Sequence, residues 1–206
     1  MHGKTILARG TGVLACRTST GRNAGPTRLV AATLLLLALA AAAQATTLAR
    51  MNLDELTAAS GAIVRVRCLG GETRFEDGEI WTLTTFEVME TLKGATPSTI
   101  TVRLIGGRWR NLISTVDGVP RFRPGEETYL FLESRPNGEF AVTSWVQGTF
   151  RIRRDPRTGV ERVTQDTSGV VTFDPATRRF RPGEVRNLPI QEFRERVRAA
   201  SERGVR

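Results

Sequence analysis

The chain has 206 residues, with 30 lysines and arginines against 21 aspartates and glutamates, and a formal net charge of +9. This length accommodates one domain with a sizeable core. The charge is uneven, because residues 1–45 contain five basic residues and no acid, which leaves a net charge of +4 on the rest of the chain. That small excess argues against nucleic-acid binding, which the whole-chain charge would otherwise favour.

The first 45 residues have the pattern of a secretory signal peptide. A basic region precedes an apolar run over residues 29–43, and the run ends in the small-x-small cleavage pattern of Ala43, Gln44 and Ala45. The run is shorter than the ~20 residues that span a bilayer. We therefore expect cleavage after Ala45 and a secreted or periplasmic protein with no stable membrane span. An uncleaved anchor is the alternative.

The residues that commonly carry catalysis are few. His2 is the only histidine and lies in the predicted signal peptide, and Cys68 is the only cysteine beyond it. A Ser-His-Asp or Cys-His arrangement, a histidine metal site and an internal disulfide are therefore not expected after cleavage, and Cys68 is predicted to be a buried core thiol. We predict no catalytic residue, metal or cofactor. Paired glutamates in a hydrolase are the alternative.

The first elements after the signal peptide are a helix and a strand. Asn52 and Glu55 have the spacing of a capping box, which predicts a short helix that places its leucines on a sheet and ends at Gly61. Val64, Val66 and Cys68 then alternate with arginines, as in a strand with one apolar face. Residues 70–78 are predicted to form a solvated acidic turn.

The second strand is predicted over residues 79–92, where β-branched and aromatic residues predominate. Its apolar phase slips between Leu83 and Phe86, which predicts a β-bulge near Thr84 and Thr85. A bent strand of this kind suits a small closed barrel. A strand that is buried on both faces is the alternative explanation of the slip.

The remaining elements are mostly strands with a helix at the end. Strands are predicted at 99–105, 112–116, 127–132, 139–145, 149–153, 160–164 and 170–173. The last helix begins at Pro189, and its apolar stripe consists of Ile190, Phe193, Val197 and Ala200. We expect this stripe to pack on the sheet rather than to bind a partner.

The long connection over residues 106–125 is the predicted ligand-binding site. Its candidate residues are Arg108, Trp109, Arg110, Arg121 and Arg123. Long connections in compact domains often carry function, and arginines among aromatics suit a carboxylate, a phosphate or a stacked base. A simple preference for arginine is the alternative, since Lys93 is the only lysine after residue 45.

Five segments of the sequence resemble the netrin-like modules and the N-terminal domain of tissue inhibitors of metalloproteinases. They read AIVRVRCLG, TTFEVMETLKG, TITVRLIGG, GEETYLFLE and GEFAVTSWVQGTF. The layout also resembles that of a broad group of bacterial secreted proteins. The resemblance implies a mainly β fold, with a small closed five-stranded OB-like antiparallel barrel over residues 46–154. Residues 155–206 would add a β extension and a C-terminal helix on the barrel.

The chain departs from those inhibitors at the residues that inhibit. In that family a terminal cysteine binds the target's zinc, whereas this chain after cleavage would begin near Thr46 as an untethered tail without cysteine. Fold alone does not carry function. We therefore expect an exported, non-enzymatic binding or protein-interaction module for a secreted or cell-envelope protein. The alternatives are a carboxylate-based secreted hydrolase and an OB-type nucleic-acid or anion-binding module.

Overall fold

The computed structural model describes residues 47–167 and 170–204, which belong to a unit spanning Ala45–Arg206. The predicted cleavage residues Ala43 and Ala45 lie outside the described residues. The strands are β1 Thr47–Ala49, β2 Ala62–Glu76, β3 Glu79–Lys93, β4 Thr99–Ile105, β5 Gly107–Trp109, β6 Leu112–Ser114, β7 Glu127–Ser134, β8 Phe140–Val142, β9 Thr149–Arg154, β10 Glu161–Gln165, β11 Val171–Asp174, β12 Arg179–Arg181 and β13 Leu188–Pro189. The helices are α1 Leu53–Ala59 and α2 Ile190–Arg203. The described protein is mainly β, as predicted.

Five of the strands close into a ring in the order β2-β3-β4-β8-β7, with β7 pairing back to β2. Neighbouring strands are antiparallel except β4 and β8, which are parallel and meet at Val102 and Phe140. The predicted antiparallel pairing therefore holds for four of the five neighbouring pairs of the ring. The reason is geometric, because an odd number of strands cannot alternate direction all the way round a closed ring. The ring interior is filled by apolar side chains that include Val64, Phe86 and Leu130.

The β2–β3 hairpin is longer than predicted. Residues predicted as a turn belong to β2 and pair with β3, and the turn contains only Asp77 and Gly78. Both have positive φ, 51° and 82°, which is the type I′ geometry that suits a two-residue hairpin. The prediction of a turn over residues 70–78 was wrong, because Gly70 and Gly71 lie within the strand and residues up to Glu76 pair with β3.

The β2–β3 pairing has three register shifts, and two of them leave Leu92 and Met89 of β3 as extra residues. The third shift lies opposite the position predicted for the β-bulge. Cys68 pairs with Phe86 and Gly70 with Thr85, so Leu69 is an additional residue in β2. The phase slip in the sequence of β3 therefore marks a register shift whose extra residue belongs to the partner strand. Such a shift bends and twists the pair, which favours closure of the ring.

Two other segments differ from expectation. The strand predicted over residues 139–145 is only β8, because Ser144 and Trp145 have left-handed φ values of 50° and 56° and lead into a 3₁₀ turn, Trp145–Gly148. Thr47–Ala49 forms β1 and pairs in parallel with β11, so these residues are tethered rather than a free tail.

A second core lies on the outer face of the ring, where both helices pack. Asn52 caps α1, with its side chain accepting a hydrogen bond from the Glu55 amide and the Glu55 side chain accepting one from the Asn52 amide, both at 2.8 Å. The capping box is therefore confirmed. The predicted stripe of α2 is also buried, with Phe193 against rings of β7 and β9. Neither described helix has the length and apolar character needed to cross a membrane.

Candidate functional site

The candidate site begins where β4 turns into the β5–β6 hairpin. Gly107 has a φ of 138°, and a Cβ at this position would overlap the Thr82 hydroxyl and press on Thr73. The Thr82 hydroxyl also donates a hydrogen bond of 2.7 Å to the Gly106 carbonyl. Glycine therefore allows β5 to lie directly against β2 and β3.

Two of the predicted site residues form a stack on this hairpin. The Trp109 ring packs on the Phe75 ring with centroids 5.2 Å apart, and the Arg110 guanidinium lies 4.3 Å from the centroid of the Trp109 ring. Stacking and cation–π attraction hold these groups in place at the tip of the β2–β3 hairpin. The sequence indicated arginines among aromatic residues in this connection. In the structure, Arg110 and Trp109 form a local stack on the surface.

Arg108 and Arg121 border a common cavity of about 250 Å³ between the hairpin and the rest of the connection. Hydroxyl-bearing and apolar side chains complete the lining. They include Thr73, Thr82, Thr84, Leu104, Val119 and Phe122. The cavity thus combines cationic and hydroxyl hydrogen-bond donors with an apolar wall, a composition typical of sites that orient a small ligand by a few polar groups.

The connection that forms one wall of the cavity is firmly attached. Phe122 packs edge-on against Phe86 of the ring interior at 5.0 Å and lies beneath the Arg151 guanidinium at 4.9 Å. Arg151 also donates a hydrogen bond of 2.8 Å to the Arg121 carbonyl and forms ion pairs with Glu126 at 2.6 Å and with Asp166 at 2.7 Å. The backbone of Arg121 is therefore fixed while its side chain stays exposed.

Arg123 does not line the cavity that Arg108 and Arg121 share. It is exposed and lines a neighbouring depression of about 600 Å³, which Arg121 also borders. Arg151, Arg153, Glu126 and Asp166 line the rest of this depression. The structure therefore brings Arg108 and Arg121 to one cavity, places the Trp109–Arg110 stack beside it, and leaves Arg123 in a different depression.

The arginines of the connection carry uncompensated charge. Within the described residues, Arg108, Arg110, Arg121 and Arg123 form no ion pair with an acidic side chain. The Arg121 guanidinium donates a hydrogen bond of 3.2 Å to the Thr115 hydroxyl. Other surface arginines, such as Arg157, likewise form no ion pair with an acid in the part of the chain that the structure describes. What distinguishes Arg108 and Arg121 is the cavity that they share.

A larger groove of about 790 Å³ lies against Arg65 and Glu127. Arg65 pairs with Glu127 at 2.6 Å and with Glu161 at 2.9 Å. Burial works to lower the pKa of Arg65, but the hydrogen bonds to Glu161 and Glu127 outweigh it and raise that pKa. Hydrogen bonds from Arg65 likewise lower the pKa of Glu161, against the effect of burial. The acid of a glycosidase needs a raised carboxyl pKa, so Glu161 is poorly suited to act as a general acid.

One side of this groove attaches α2 to the sheet. The Tyr129 hydroxyl donates to Glu90 at 2.9 Å and accepts from Arg194 at 3.0 Å, while Arg194 forms an ion pair with Glu90 at 2.7 Å. Burial raises the pKa of Tyr129 to about 12. The hydrogen bond from Arg194 works to lower this pKa, whereas Glu90 works to raise it. The groove is thus lined by charges that satisfy one another and hold structural elements together.

No model of a known protein family matches the chain, and the comparison with curated proteins finds no match either. The function of the cavity therefore has to be argued from its own geometry and chemistry.

Sequence reasoning identified the arginines of this site but not its hydroxyl groups or its stacking partner. Thr73 and Phe75 were assigned to a turn, whereas both belong to β2. Thr82 was interpreted only as a residue that favours strands, and Thr84 only as a strand residue near the predicted β-bulge. The signal that was available is the alternation of Thr73 and Phe75 with arginine and glutamate, which is the pattern of a continuing strand.

Proposed function

We propose that this protein is an exported, non-enzymatic protein-interaction module that binds its partner through the connection between β4 and β7. The observation that carries the proposal is the cavity bordered by Arg108 and Arg121, two arginines without an ion-pair partner among the described residues. Arginine recognises carboxylates through paired, charge-assisted hydrogen bonds. A partner that presents an acidic group is the ligand that this arrangement favours.

The lining of the cavity favours binding over catalysis. Among the described residues that line it there is no carboxylate, histidine or cysteine. Its volume of about 250 Å³ is below the roughly 300–1,000 Å³ of pockets that enclose a drug-sized molecule. It suits a single side chain better than a nucleotide, which supports a protein partner over a nucleic acid.

The fold that we propose for this module is the OB-like barrel of the netrin-like proteins. A five-stranded ring with a packed interior and a helix on its outer face supports that assignment. The zinc-binding cysteine of the related inhibitors has no counterpart near Thr46. We therefore propose that the interaction does not inhibit a metalloprotease by zinc chelation.

Binding is tested with protein recovered from the exported fraction and coupled to a resin. It should retain a partner from that same fraction, and the affinity of the purified partner should fall by about 2 kcal/mol or more on either Arg108→Ala or Arg121→Ala, the scale of an interface hot spot. Arg123→Ala should have a smaller effect because Arg123 does not line the cavity.

The matched control is Arg157→Ala, which removes an exposed arginine from the turn between β9 and β10. It should leave the affinity unchanged. A partner whose affinity is insensitive to Arg108→Ala and Arg121→Ala would reject the proposed site.

Export is tested by the N-terminal sequence of the protein outside the cytoplasm. The basic region, the apolar run and the Ala-x-Ala pattern predict that this sequence begins at Thr46, directly after Ala45. Replacing Ala43 with a large charged residue should block processing, because the cleavage pattern requires small residues. Exported protein that retains the leucine run would show that the segment is not cleaved, and protein found only in the cytoplasm would reject export.

A further inference from the structure

The β5–β6 hairpin leaves one strand edge open. Among the described residues, β6 pairs only with β5, while β5 lies on the side of Thr73 and Thr82. The outer edge of β6 therefore has no described strand partner. Unpaired backbone groups on an edge strand are a template for an additional strand from another chain.

The turn of this hairpin decides which backbone groups lie on the open edge. It contains two residues, Arg110 and Asn111, so Trp109 and Leu112 form the closing pair. In a two-residue hairpin the closing pair is the hydrogen-bonded one, and the next pair directs its N–H and C=O groups outward. Ile113 is therefore the β6 residue whose backbone donor and acceptor point away from β5.

The side chains of β6 are apolar and exposed. Ile113 is 69% exposed and Leu112 is 51% exposed. Since neighbouring residues of a strand point to opposite faces, Ile113 shares a face with its pairing partner Arg108, and Leu112 shares the other face with Trp109. An added strand would thus meet an arginine at the cavity on one face and a tryptophan on the other.

The charge around the edge selects the kind of strand that fits. Arg108, Arg110 and Arg121 surround β6 and form no ion pair with an acid among the described residues. A basic segment would be repelled, whereas an acidic one would gain electrostatic attraction during encounter and docking. Charge complementarity therefore identifies the occupant as an acidic polypeptide.

We propose that β6 accepts an extended acidic segment of the partner protein as an added β-strand, held through the outward backbone groups of Ile113. Acidic side chains of that segment would face Arg108 and Arg121 at the cavity, and apolar side chains on its opposite face would pack on Trp109 and Leu112. This inference rests on the proposed function, since it names how the same site recognises its partner.

The test selects random short peptides displayed against the exported protein. Peptides in which acidic and apolar residues alternate should be enriched. For an enriched peptide, Ile113→Pro should weaken binding more than about tenfold beyond Ile113→Ala, because only proline removes the outward N–H. Hydrogen exchange in the unsubstituted protein gives a second measurement, which does not require the proline variant to fold. The Ile113 amide should exchange more slowly when the peptide is bound.

Other outcomes would overturn strand addition. Equal affinity of the Ile113→Pro and Ile113→Ala variants, or no protection of the Ile113 amide, would show that the backbone edge is not used. A dimer that dissociates on Ile113→Pro would identify a second copy of this chain as the occupant. Enrichment without acidic residues, or competition by single-stranded DNA with a steep salt dependence, would reject the acidic polypeptide.

The two proposals can fail separately. If a partner from the exported fraction depends on Arg108 and Arg121 but is insensitive to Ile113→Pro, strand addition is wrong and the binding site stands. If no partner depends on either arginine, the proposed function itself fails.

Discussion

Replacing Phe193 with alanine is expected to lower the free energy of unfolding by about 3–5 kcal/mol. Phe193 is fully buried, and its ring lies 5.0 Å from that of Tyr129 and 5.1 Å from that of Phe150. The substitution removes apolar burial and leaves a cavity between α2 and the sheet, where the surrounding rings are held by their own strands and collapse only in part. Urea denaturation of the purified protein measures the loss.

The control for this prediction is Phe180→Ala. Phe180 lies in the short strand β12 and is 62% exposed, so its removal should change the free energy of unfolding by less than about 1 kcal/mol. Limited proteolysis with trypsin gives a second measurement, because α2 contains Arg196 and Arg198 on its outer side. If Phe193→Ala has as little effect as Phe180→Ala, α2 does not pack on the ring in solution.

Local sequence signals predicted the helices and several strands well. The capping box of α1 and the stripe of α2 arise from interactions within a few residues, so their spacing is visible in the sequence. β4 was predicted with its observed bounds because one of its faces is buried and the other is not. The regularity of these elements reflects burial on one face only.

Non-local pairing was not predictable in the same way. The pairing of β1 with β11 joins residues far apart in the sequence, and neither segment carries a mark of its partner. Nothing in the sequence around Leu69 marks it as the extra residue of β2. Its only sign is the shift in the apolar alternation of β3, the strand that pairs with it. The left-handed backbone at Ser144 and Trp145 was also not predictable from the sequence. Tryptophan is common in strands, and serine has no strong preference for or against them.

The candidate site also depends on contacts between residues far apart in the sequence. Its arginines were apparent from residue type, whereas the cavity forms because Thr73 from β2 and Phe122 from the connection line the same space. The separation of Arg123 from Arg108 follows from the anchoring of Phe122 beneath Arg151. Composition indicates which chemistry is available, and the topology decides which residues share a surface.

Replacing Phe86 with alanine is expected to lower the free energy of unfolding by about 3–5 kcal/mol, for a reason that also concerns the site. Phe86 is fully buried in the ring and meets Phe122 edge-on at 5.0 Å. Phe122 lines the cavity with Arg121, so the ring interior supports the wall of the candidate site.

A double-mutant cycle with Phe122→Ala separates these two roles. The Phe86–Phe122 contact should give a coupling energy of about 0.5–1.5 kcal/mol, the range of aromatic pairs. Phe122→Ala alone should destabilise less than Phe86→Ala, because Phe122 is only partly buried, yet it should weaken partner binding by loosening the cavity wall. A loss below about 1 kcal/mol for Phe86→Ala would show that Phe86 does not face the ring interior. Additive effects would show that the contact between Phe86 and Phe122 does not position the connection.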